Sequence, residues 1–310
     1  EALAELMVGR KVLLNVDKTP ARPGAPVLEV RDLHLIDHEG VERLRGISFD
    51  IRAGEILGIA GVSGNGQTQL LELLGGYPEK GARVSGAIRM NGEALDLTGA
   101  GSDARTRRRR GIGHVPEDRQ TEGLIMDFTA WENIAFGYHD KAEYQKGWLM
   151  DNDAIRRDAK KYMEDFDCRP RNCDLAARDF SGGNQQKLVV ARELERNPDL
   201  LLIGQPTRGV DIGAIEFIHK RIIELRDAGK AVLLVSVELD EILSLSDRIA
   251  VMFDGRIMGE RLPDQTTTGE LGLLMAGVTD TEHHAAEDGI PPEHRHVDDL
   301  PDETANGGPR

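Results

Sequence analysis

Ile56-Leu57-Gly58-Ile59-Ala60-Gly61-Val62-Ser63-Gly64-Asn65-Gly66-Gln67-Thr68 joins a short apolar run to a glycine-rich loop. The run 56–60 predicts a buried strand, and residues 67–74 have the pattern of a helix. Glycines let the backbone wrap so that successive N–H groups point inward, and a helix N-terminus adds about half a positive charge. A strand, a glycine-rich loop and a helix in this order predict a phosphate-binding loop.

The loop matches the template G-x-x-x-x-G-K-[ST] except at the lysine, where Gln67 stands. An ammonium group against phosphates makes a charge-assisted contact roughly twice as strong as a neutral amide can make. Thr68 keeps the hydroxyl that would ligate Mg²⁺. Taken alone, the segment could also be a tight turn from strand to helix that binds no ligand. The residues predicted to contact a nucleotide here are Gly61, Ser63, Gly64, Asn65, Gly66, Gln67 and Thr68.

A second glycine-rich helix start lies in the string Phe180-Ser181-Gly182-Gly183-Asn184-Gln185-Gln186-Lys187. The Ser181 hydroxyl and the bare backbone N–H groups after it suit an anion. This helix is followed by a buried apolar run and by the loop Gly204-Gln205-Pro206-Thr207-Arg208-Gly209-Val210-Asp211. Two helix starts of this kind, each tied to a strand, would rarely coincide by chance.

Short apolar runs alternate with amphipathic helices from Val27 to about Gly277. This alternation predicts an α/β fold in which helices cover a parallel sheet. The predicted strands are residues 56–60, 200–203 and 231–235, and the predicted helices are residues 67–74, 151–166, 184–196 and 212–225. The segment from about 117 to 185 is mostly helical in pattern, and we expect it to form a subdomain of its own.

Composition excludes several classes of protein. The 310 residues include no run of 18 apolar residues, so no membrane-spanning helix is predicted. Two cysteines are too few for disulfides to stabilise a chain of this length, and they lack the second ligand pair of a zinc site. A reducing, cytosolic setting is therefore the default. The net charge of −15 argues against a general nucleic-acid binder, which needs a basic surface.

The two ends of the chain differ from its middle. Residues 279–310 hold nine acidic side chains and two arginines, with too little apolar surface to offset the entropy of ordering, so 278–310 is predicted to be a disordered acidic tail. Residues 3–9 match residues 271–277 at four of seven places. We therefore predict that residues 1–10 end a preceding copy of the domain and that 11–26, rich in proline, form a linker. Chance similarity of two short helices is the alternative.

Four consecutive arginines stand at Arg107 to Arg110. A solvated end of a helix or loop is the expected structure for such a run. Contact with an anionic partner is the alternative, and no second feature of the sequence supports it.

Between Val27 and Gly277 the sequence resembles the nucleotide-binding domains of ABC transporters. The Ser181-Gly182-Gly183-Asn184-Gln185 string resembles the ABC signature and is the most specific feature. The fuller pattern is similar to the second, C-terminal half of the tandem ATPases that drive ribose, galactose and nucleoside importers. This pattern consists of Gly113-His114-Val115-Pro116-Glu117-Asp118-Arg119, Ser181 to Lys187, and Pro206-Thr207-Arg208-Gly209-Val210-Asp211. The resemblance implies a RecA-like P-loop NTPase core with an antiparallel β edge and an inserted helical subdomain.

The resemblance also implies roles for particular residues. Ser181 and Gly183 would contact the γ-phosphate of ATP held by an opposite domain, because two such domains sandwich nucleotide head to tail. Asp211 belongs to the loop that crosses this interface. Glu117 stands where most ABC domains carry the glutamine that senses Mg²⁺ and the transmembrane partner.

Four positions depart from the family pattern. Gly204 replaces the aspartate that holds Mg²⁺ through water, Gln205 the glutamate that polarises the attacking water, and Val237 the switch histidine, in addition to Gln67. A glutamine can orient water but cannot accept its proton, and general-base help is worth about 100- to 10,000-fold. We expect this site to hydrolyse ATP poorly or not at all, while the intact signature completes the site of a paired domain.

The resulting prediction is an asymmetric importer ATPase for nucleosides or simple sugars, with ATP and Mg²⁺ as cofactors. Its partners would be the N-terminal nucleotide-binding domain of the same full-length chain, or a second copy of the fragment, together with permease subunits and, indirectly, a substrate-binding protein. It would lie at the cytoplasmic face of the cell membrane. The alternatives are a scaffold domain that docks a permease without nucleotide, and a soluble ABC protein of the translation or DNA-repair type.

Overall fold

The structure, a computed structural model, describes residues 18–278. The predicted preceding copy at 1–10, residues 11–17 of the predicted linker, and residues 279–310 of the predicted acidic tail lie outside these residues.

Twelve strands and eight α-helices make up the described part of the chain. The strands are β1 (Pro26–Ile36), β2 (Glu42–Arg52), β3 (Ile56–Ala60), β4 (Arg83–Met90), β5 (Glu93–Leu95), β6 (Ile112–Val115), β7 (Gln145–Lys146), β8 (Leu149–Met150), β9 (Leu200–Gly204), β10 (Ala231–Ser236), β11 (Arg248–Phe253) and β12 (Arg256–Arg261). The helices are α1 (Gln67–Gly75), α2 (Ala104–Arg109), α3 (Ala130–Ala135), α4 (Asn152–Asp165), α5 (Gly182–Leu194), α6 (Ile212–Asp227), α7 (Leu239–Leu245) and α8 (Thr268–Met275).

A six-stranded sheet in the order β12-β11-β3-β10-β9-β6 forms the centre of the fold. Its strands run parallel except β12, which pairs antiparallel with β11 at one edge. The strand before the phosphate loop, β3, lies between β11 and β10. Because the carboxyl ends of parallel strands meet at one edge of the sheet, the loops after β3, β9 and β10 open on the same side.

Side chains of the central strands alternate between two hydrophobic cores. Leu57 and Ile59 of β3 point into a core shared with α1 and with an antiparallel sheet of order β2-β1-β4-β5. Ile56 and Ala60 point into a second core, which contains the apolar faces of α4, α5, α6 and α8. A strand buried on both faces needs an unbroken apolar sequence, which is why residues 56–60 show no alternation of polar and apolar side chains.

The segment from 117 to 185 contains α3 and α4, a two-stranded hairpin of β7 and β8, and several short turns of helix. Helix α3 begins with a capping box, because Thr129 accepts from the Glu132 amide and the Glu132 carboxylate accepts from the Thr129 amide. Both helices pack on α5, which joins this segment to the central sheet.

The arginine run is not wholly solvated, so that expectation is wrong for Arg107. This side chain is 1% exposed, and its Nη2 donates to the Asp96 carbonyl oxygen at 2.5 Å. Arg109 and Arg110 are exposed as expected and pair with Asp140 and Glu93. Helix α2 directs Arg107 toward the loop that contains Asp96. A run of four arginines does not by itself show which of them is buried.

Within residues 18–278, no helix has both the length and the apolar character needed to cross a membrane.

Candidate functional site

The glycine-rich loop occupies the carboxyl end of β3 and leads into α1. Gly64 and Gly66 adopt φ angles of 93° and 102°, in a region that residues with a Cβ rarely occupy. At Gly66 a Cβ would also lie 2.6 Å from the Arg43 carbonyl oxygen, so the loop requires glycine there for two reasons. The wrapped backbone and the start of α1 fit a bound phosphate group.

The Gln67 side chain is turned back onto this loop. It is 5% exposed, and its Nε2 donates to the Val62 carbonyl oxygen at 3.2 Å. A side chain at Gly61 would overlap the same amide group. The loop therefore holds a neutral donor, packed against Gly61, where the usual motif holds an ammonium group.

Thr68 and Glu117 meet beneath the loop, although 49 residues separate them in the chain. The Thr68 hydroxyl donates to Glu117 Oε2 at 2.6 Å. Gly204, at the end of β9, lies directly beside this carboxylate side chain, since a Cβ there would be 2.6 Å from Glu117 Cγ. A hydroxyl and a carboxylate are hard oxygen ligands of the kind that Mg²⁺ takes in addition to phosphate oxygens and waters. Thr68 and Glu117 would hold the ion when nucleotide is present.

Gln205 follows β9 in a left-handed conformation, with φ of 47°. Its amide N donates to the Val235 carbonyl oxygen at 2.8 Å, and its Oε1 accepts from the Val237 amide at 3.3 Å. The two positions that carry glutamate and histidine in the family pattern are therefore in contact here, but neither residue can accept a proton from water.

A cavity of about 630 Å³ opens between the phosphate loop and the loops after β9 and β10. Its charged side chains are four carboxylates, of Glu117, Glu238, Asp240 and Glu241, and one guanidinium group, of Arg208. The predicted site residues that line it are Gly61, Ser63, Gln67, Thr68, Glu117 and Gln205. Gly64, Asn65 and Gly66 form the loop beside the cavity. The cavity has the position and size for a nucleotide polyphosphate, but its charge is negative.

A buried contact between a histidine and a glutamate, which the sequence pattern does not indicate, lies in the wall of this cavity. His219 Nε2 is 2.8 Å from Glu241 Oε1, and both side chains are buried. Within residues 18–278, Glu241 Oε2 has no hydrogen-bond partner. His219 lies on α6 and Glu241 on α7, and no local pattern indicates that the two helices face each other.

The signature segment begins at an exposed residue and does not line the cavity. Ser181 precedes α5 and is exposed, and its Oγ accepts from Asn184 Nδ2 at 2.8 Å. A Cβ at Gly183 would lie 2.8 Å from Asp211 Oδ2. Asp211 in turn accepts from the Ala214 amide at 2.9 Å and so caps α6. The structure therefore brings Ser181, Gly183 and Asp211 together at the start of α5, outside the lining of the cavity.

Arg119 connects the start of the signature to the segment that contains Glu117, a role that its position in the sequence does not indicate. Its Nη1 donates to the Arg208 carbonyl oxygen at 2.7 Å and its Nη2 to the Gly209 carbonyl oxygen at 3.3 Å. A Cβ at Gly182 would lie 2.6 Å from Nη2. Because Arg119 follows Glu117 by two residues, these contacts connect the cavity wall to the start of the signature.

A group of carboxylates lies on the outer side of the same region. Burial, together with the charges of Glu122, Glu79 and Glu117, raises the pKa of Glu72 on α1 from 4.5 to about 7. Burial and the neighbouring Glu117 and Asp118 also raise the pKa of Glu122. Negative charge is therefore concentrated around Glu117, and a bound cation would relieve it.

Glu72 makes the stability of the fold depend on pH. Its folded-state pKa lies above its unfolded value, so folding takes up a proton between pH 4.5 and about 7, and stability falls as pH rises through this window. We expect Glu72→Gln to raise the free energy of unfolding by up to about 1 kcal/mol near pH 8, after allowance for solvent screening, and by less near pH 5. Urea unfolding at the two pH values measures this. Glu164→Gln, an exposed change on α4, is the control, and an equal gain at both pH values for Glu72→Gln would contradict the expectation.

A phosphate loop after the central strand of a parallel sheet, with a second glycine-rich helix start on a separate surface, defines a nucleotide-binding domain of the P-loop NTPase class. The model of the ABC transporter family matches residues 44–208, slightly more than half of the chain, and the chain belongs to this family. Members of this family bind ATP.

Relatives of this chain include several import ATP-binding proteins. The nucleoside import ATP-binding protein NupA of Lactococcus lactis is 47% identical over 279 residues, which cover 89% of this chain and 53% of that protein. The guanosine import ATP-binding protein NupO of Bacillus subtilis is 47% identical over 283 residues, 91% of this chain and 54% of that protein. The ribose import ATP-binding protein RbsA of Clostridium perfringens is 36% identical over 278 residues, 90% of this chain and 53% of that protein. The chain thus spans about half the length of these relatives.

Solved structures confirm the predicted fold. A nucleotide-free ATP-binding cassette of an ABC transporter aligns with a TM-score of 0.64 at 22% identity, over 81% of this chain and 96% of that one. A bacterial ABC transporter cassette solved as a dimer aligns with a TM-score of 0.65 at 23% identity, over 76% of this chain and 98% of that one. The α/β core, the antiparallel β edge and the inserted helices are those of an ABC ATPase domain.

Proposed function

We propose that the chain is the ATP-binding half of an ABC importer, with an impaired ATP site of its own and a signature that completes the catalytic site of a paired domain. The observation that carries the proposal is the contrast between the two surfaces. Ser181 is exposed beside Gly183, whereas Gln67, Gln205 and Val237 line the cavity and Gly204 lies behind Glu117 in its wall, at the four positions of the usual catalytic groups.

The paired domain is the N-terminal nucleotide-binding domain of the same full-length protein, or a second copy when the fragment is alone. Residues 1–10 then end that domain, 11–26 link the two, and 278–310 form an acidic tail. The half-length match to the import proteins supports this arrangement, because a tandem protein carries two such domains. The assembly works at the cytoplasmic face of the membrane through permease subunits, which receive solute from a substrate-binding protein.

A nucleoside is the preferred solute class. Two relatives named for nucleoside or guanosine import are 47% identical to this chain, and a relative named for ribose import is 36% identical. Simple sugars are the second candidate. The solute contacts the permease and the binding protein rather than this domain, so its identity is tested by binding assays on the binding protein.

The purified chain tests the impaired site directly. We expect a fluorescent ATP analogue to bind in the presence of Mg²⁺, and we expect phosphate release far below about 1 per second, the lower end of ordinary enzyme turnover. Ser63→Glu is the control, because a carboxylate at this exposed loop position repels phosphates without disturbing the core. Turnover of about 1 per second or more would refute the impaired site. Absence of binding at millimolar nucleotide would refute a nucleotide site and favour the scaffold.

A further inference from the structure

We propose that Arg119 couples the chain's own nucleotide cavity to the signature, so that nucleotide bound in this cavity raises ATP turnover in the site that the signature completes. Arg119 is a positioning residue in this scheme, because it does not line the cavity and acts through the two segments that it joins. The coupling rests on the proposed function, in which the signature serves a paired domain and the chain's own site binds ATP with little hydrolysis.

Arg119 holds the loop that follows β9. Its Nη1 donates to the Arg208 carbonyl oxygen at 2.7 Å, and its Nη2 donates to the Gly209 carbonyl oxygen at 3.3 Å. A guanidinium group presents its donors in a rigid fork, so two successive carbonyl oxygens on one such group fix the loop relative to Arg119. Arg208 and Gly209 also line the nucleotide cavity. A nucleotide that moves this loop therefore moves the Arg119 side chain.

The same guanidinium group lies against the start of the signature helix α5. A Cβ at Gly182 would be 2.6 Å from Arg119 Nη2 and 3.0 Å from the Gly209 carbonyl oxygen. The loop, the guanidinium group and the backbone of Gly182 are thus in close contact, and we call this arrangement the Arg119 bridge. Closely packed groups transmit displacements to one another. A shift of the loop therefore displaces the residue that follows Ser181.

A second contact from the same turn reaches the other side of Ser181. Gln120 Nε2 donates to Gln185 Oε1 at 3.2 Å. Gln185 Nε2 donates in turn to the carbonyl oxygen of Phe180, the residue before Ser181, at 3.1 Å. The turn that begins at Arg119 therefore contacts the signature both before and after Ser181, and it fixes where the serine hydroxyl stands.

The cavity and the signature thus share one structural element. Glu117, two residues before Arg119, lines the cavity, as does the loop that Arg119 holds. A nucleotide in the cavity would contact both segments, and both lead to the signature. Coupling between two binding sites is typically worth about 5- to 150-fold in affinity. A bridge that only stabilised the fold would affect turnover equally whether or not nucleotide occupied the cavity.

A double-mutant cycle in the full-length protein with its permease subunits tests the coupling. Ser63→Glu empties the chain's own cavity, because a carboxylate in the phosphate loop repels nucleotide, and Arg119→Met breaks the bridge. We expect Ser63→Glu alone to lower ATP turnover about fivefold or more. Arg119→Met alone should lower it about 10-fold or more, since a 1 Å misplacement can cost about 100-fold. In the Arg119→Met background, Ser63→Glu should have a further effect of less than about twofold.

Arg178→Met is the matched control. Arg178 is an exposed arginine shortly before the signature, and it pairs with the exposed Asp127. Its replacement should change turnover by less than about threefold and should leave the effect of Ser63→Glu intact. Arg119→Lys keeps the charge but loses the rigid fork, so we expect it to retain only part of the coupling. Should Arg119→Met not fold, the same cycle with Arg119→Lys decides.

Three results would overturn the coupling. They are an equal loss from Ser63→Glu with and without the bridge, wild-type turnover in Arg119→Met, and wild-type turnover in Ser63→Glu. In each case a large loss of turnover in Ser181→Arg leaves the proposed function standing, because that variant acts on the signature directly. If Ser181→Arg also keeps wild-type turnover, the proposed function itself fails.

Discussion

Ser181→Arg is expected to lower ATP turnover of the assembled transporter about 100-fold or more, whereas Gln205→Asn should change it by less than about threefold. Ser181 is exposed at the start of α5, on a surface separate from the chain's own cavity. A long cation there blocks the helix start that would face the partner's γ-phosphate. Loss of one preorganised donor to a developing charge costs about 100- to 1,000-fold in turnover.

Gln205→Asn is the matched change at the chain's own site. Asparagine tolerates the left-handed conformation that Gln205 adopts, with φ of 47°, but its shorter amide cannot keep the same contact with the Val237 amide. If this site were the catalytic one, loss of the group that orients water would reduce turnover strongly. The small expected effect therefore separates a regulatory site from a catalytic one.

The ATP turnover of both variants is measured as phosphate release by the full-length protein with its permease subunits. Binding of a fluorescent ATP analogue to the purified 310-residue chain shows that Ser181→Arg leaves its own loop intact. Turnover within threefold of wild type for Ser181→Arg would contradict the asymmetric ATPase. A loss confined to Gln205→Asn would reverse the assignment of the two sites.

Arg192→Met is expected to lower the free energy of unfolding by about 3–5 kcal/mol, because it leaves a buried carboxylate without its cation. Arg192 Nε is 2.7 Å from Glu193 Oε1, with side chains 4% and 1% exposed. Arg192 Nη1 also donates to the Gly123 carbonyl oxygen at 2.8 Å, which fixes the end of the turn after Glu117. The pair thus connects α5 to the segment that supplies the candidate metal ligand.

The variant should also respond to pH. Burial raises the pKa of Glu193, but Arg192 and the Tyr138 hydroxyl outweigh burial and hold the pKa below its usual value. Without Arg192 the burial effect dominates and the folded-state pKa rises above the unfolded value. Folding then takes up a proton, so the stability deficit should be smaller near pH 5 than near pH 8.

Urea unfolding at both pH values measures the deficit. Arg192→Met/Glu193→Gln removes both charges, keeps an acceptor for Tyr138, and should recover about half of the loss or more. Lys220→Met breaks an exposed pair with Glu224 on α6 and should cost less than about 0.5 kcal/mol. An equal loss for the single and double variants would mean that packing, rather than an uncompensated charge, determines the effect.

Strands and loops whose residues form a recognisable local sequence pattern were predictable from sequence. Strand β3 spans Ile56–Ala60 as predicted, and β9 and β10 extend the predicted runs by one residue each, to Gly204 and Ser236. An unbroken apolar run is enough for such strands, because both faces of the central sheet are buried. The phosphate loop and the signature could be predicted for a similar reason, since each predicted function depends on a few neighbouring backbone groups at a helix start.

Contacts between distant segments depended on the fold. Thr68, Glu117 and Gly204 meet only because β3, β6 and β9 end at the same edge of one sheet, and His219 meets Glu241 only because α6 packs beside α7. Sequence spacing fixes which residues share a turn or a strand face, but it does not fix which loops converge. The four departures from the family pattern and the presence of Glu117 were therefore readable from the chain alone, whereas the close approach of Glu117 to Gly204 became visible only in the tertiary structure, because it depends on how β6 and β9 pair.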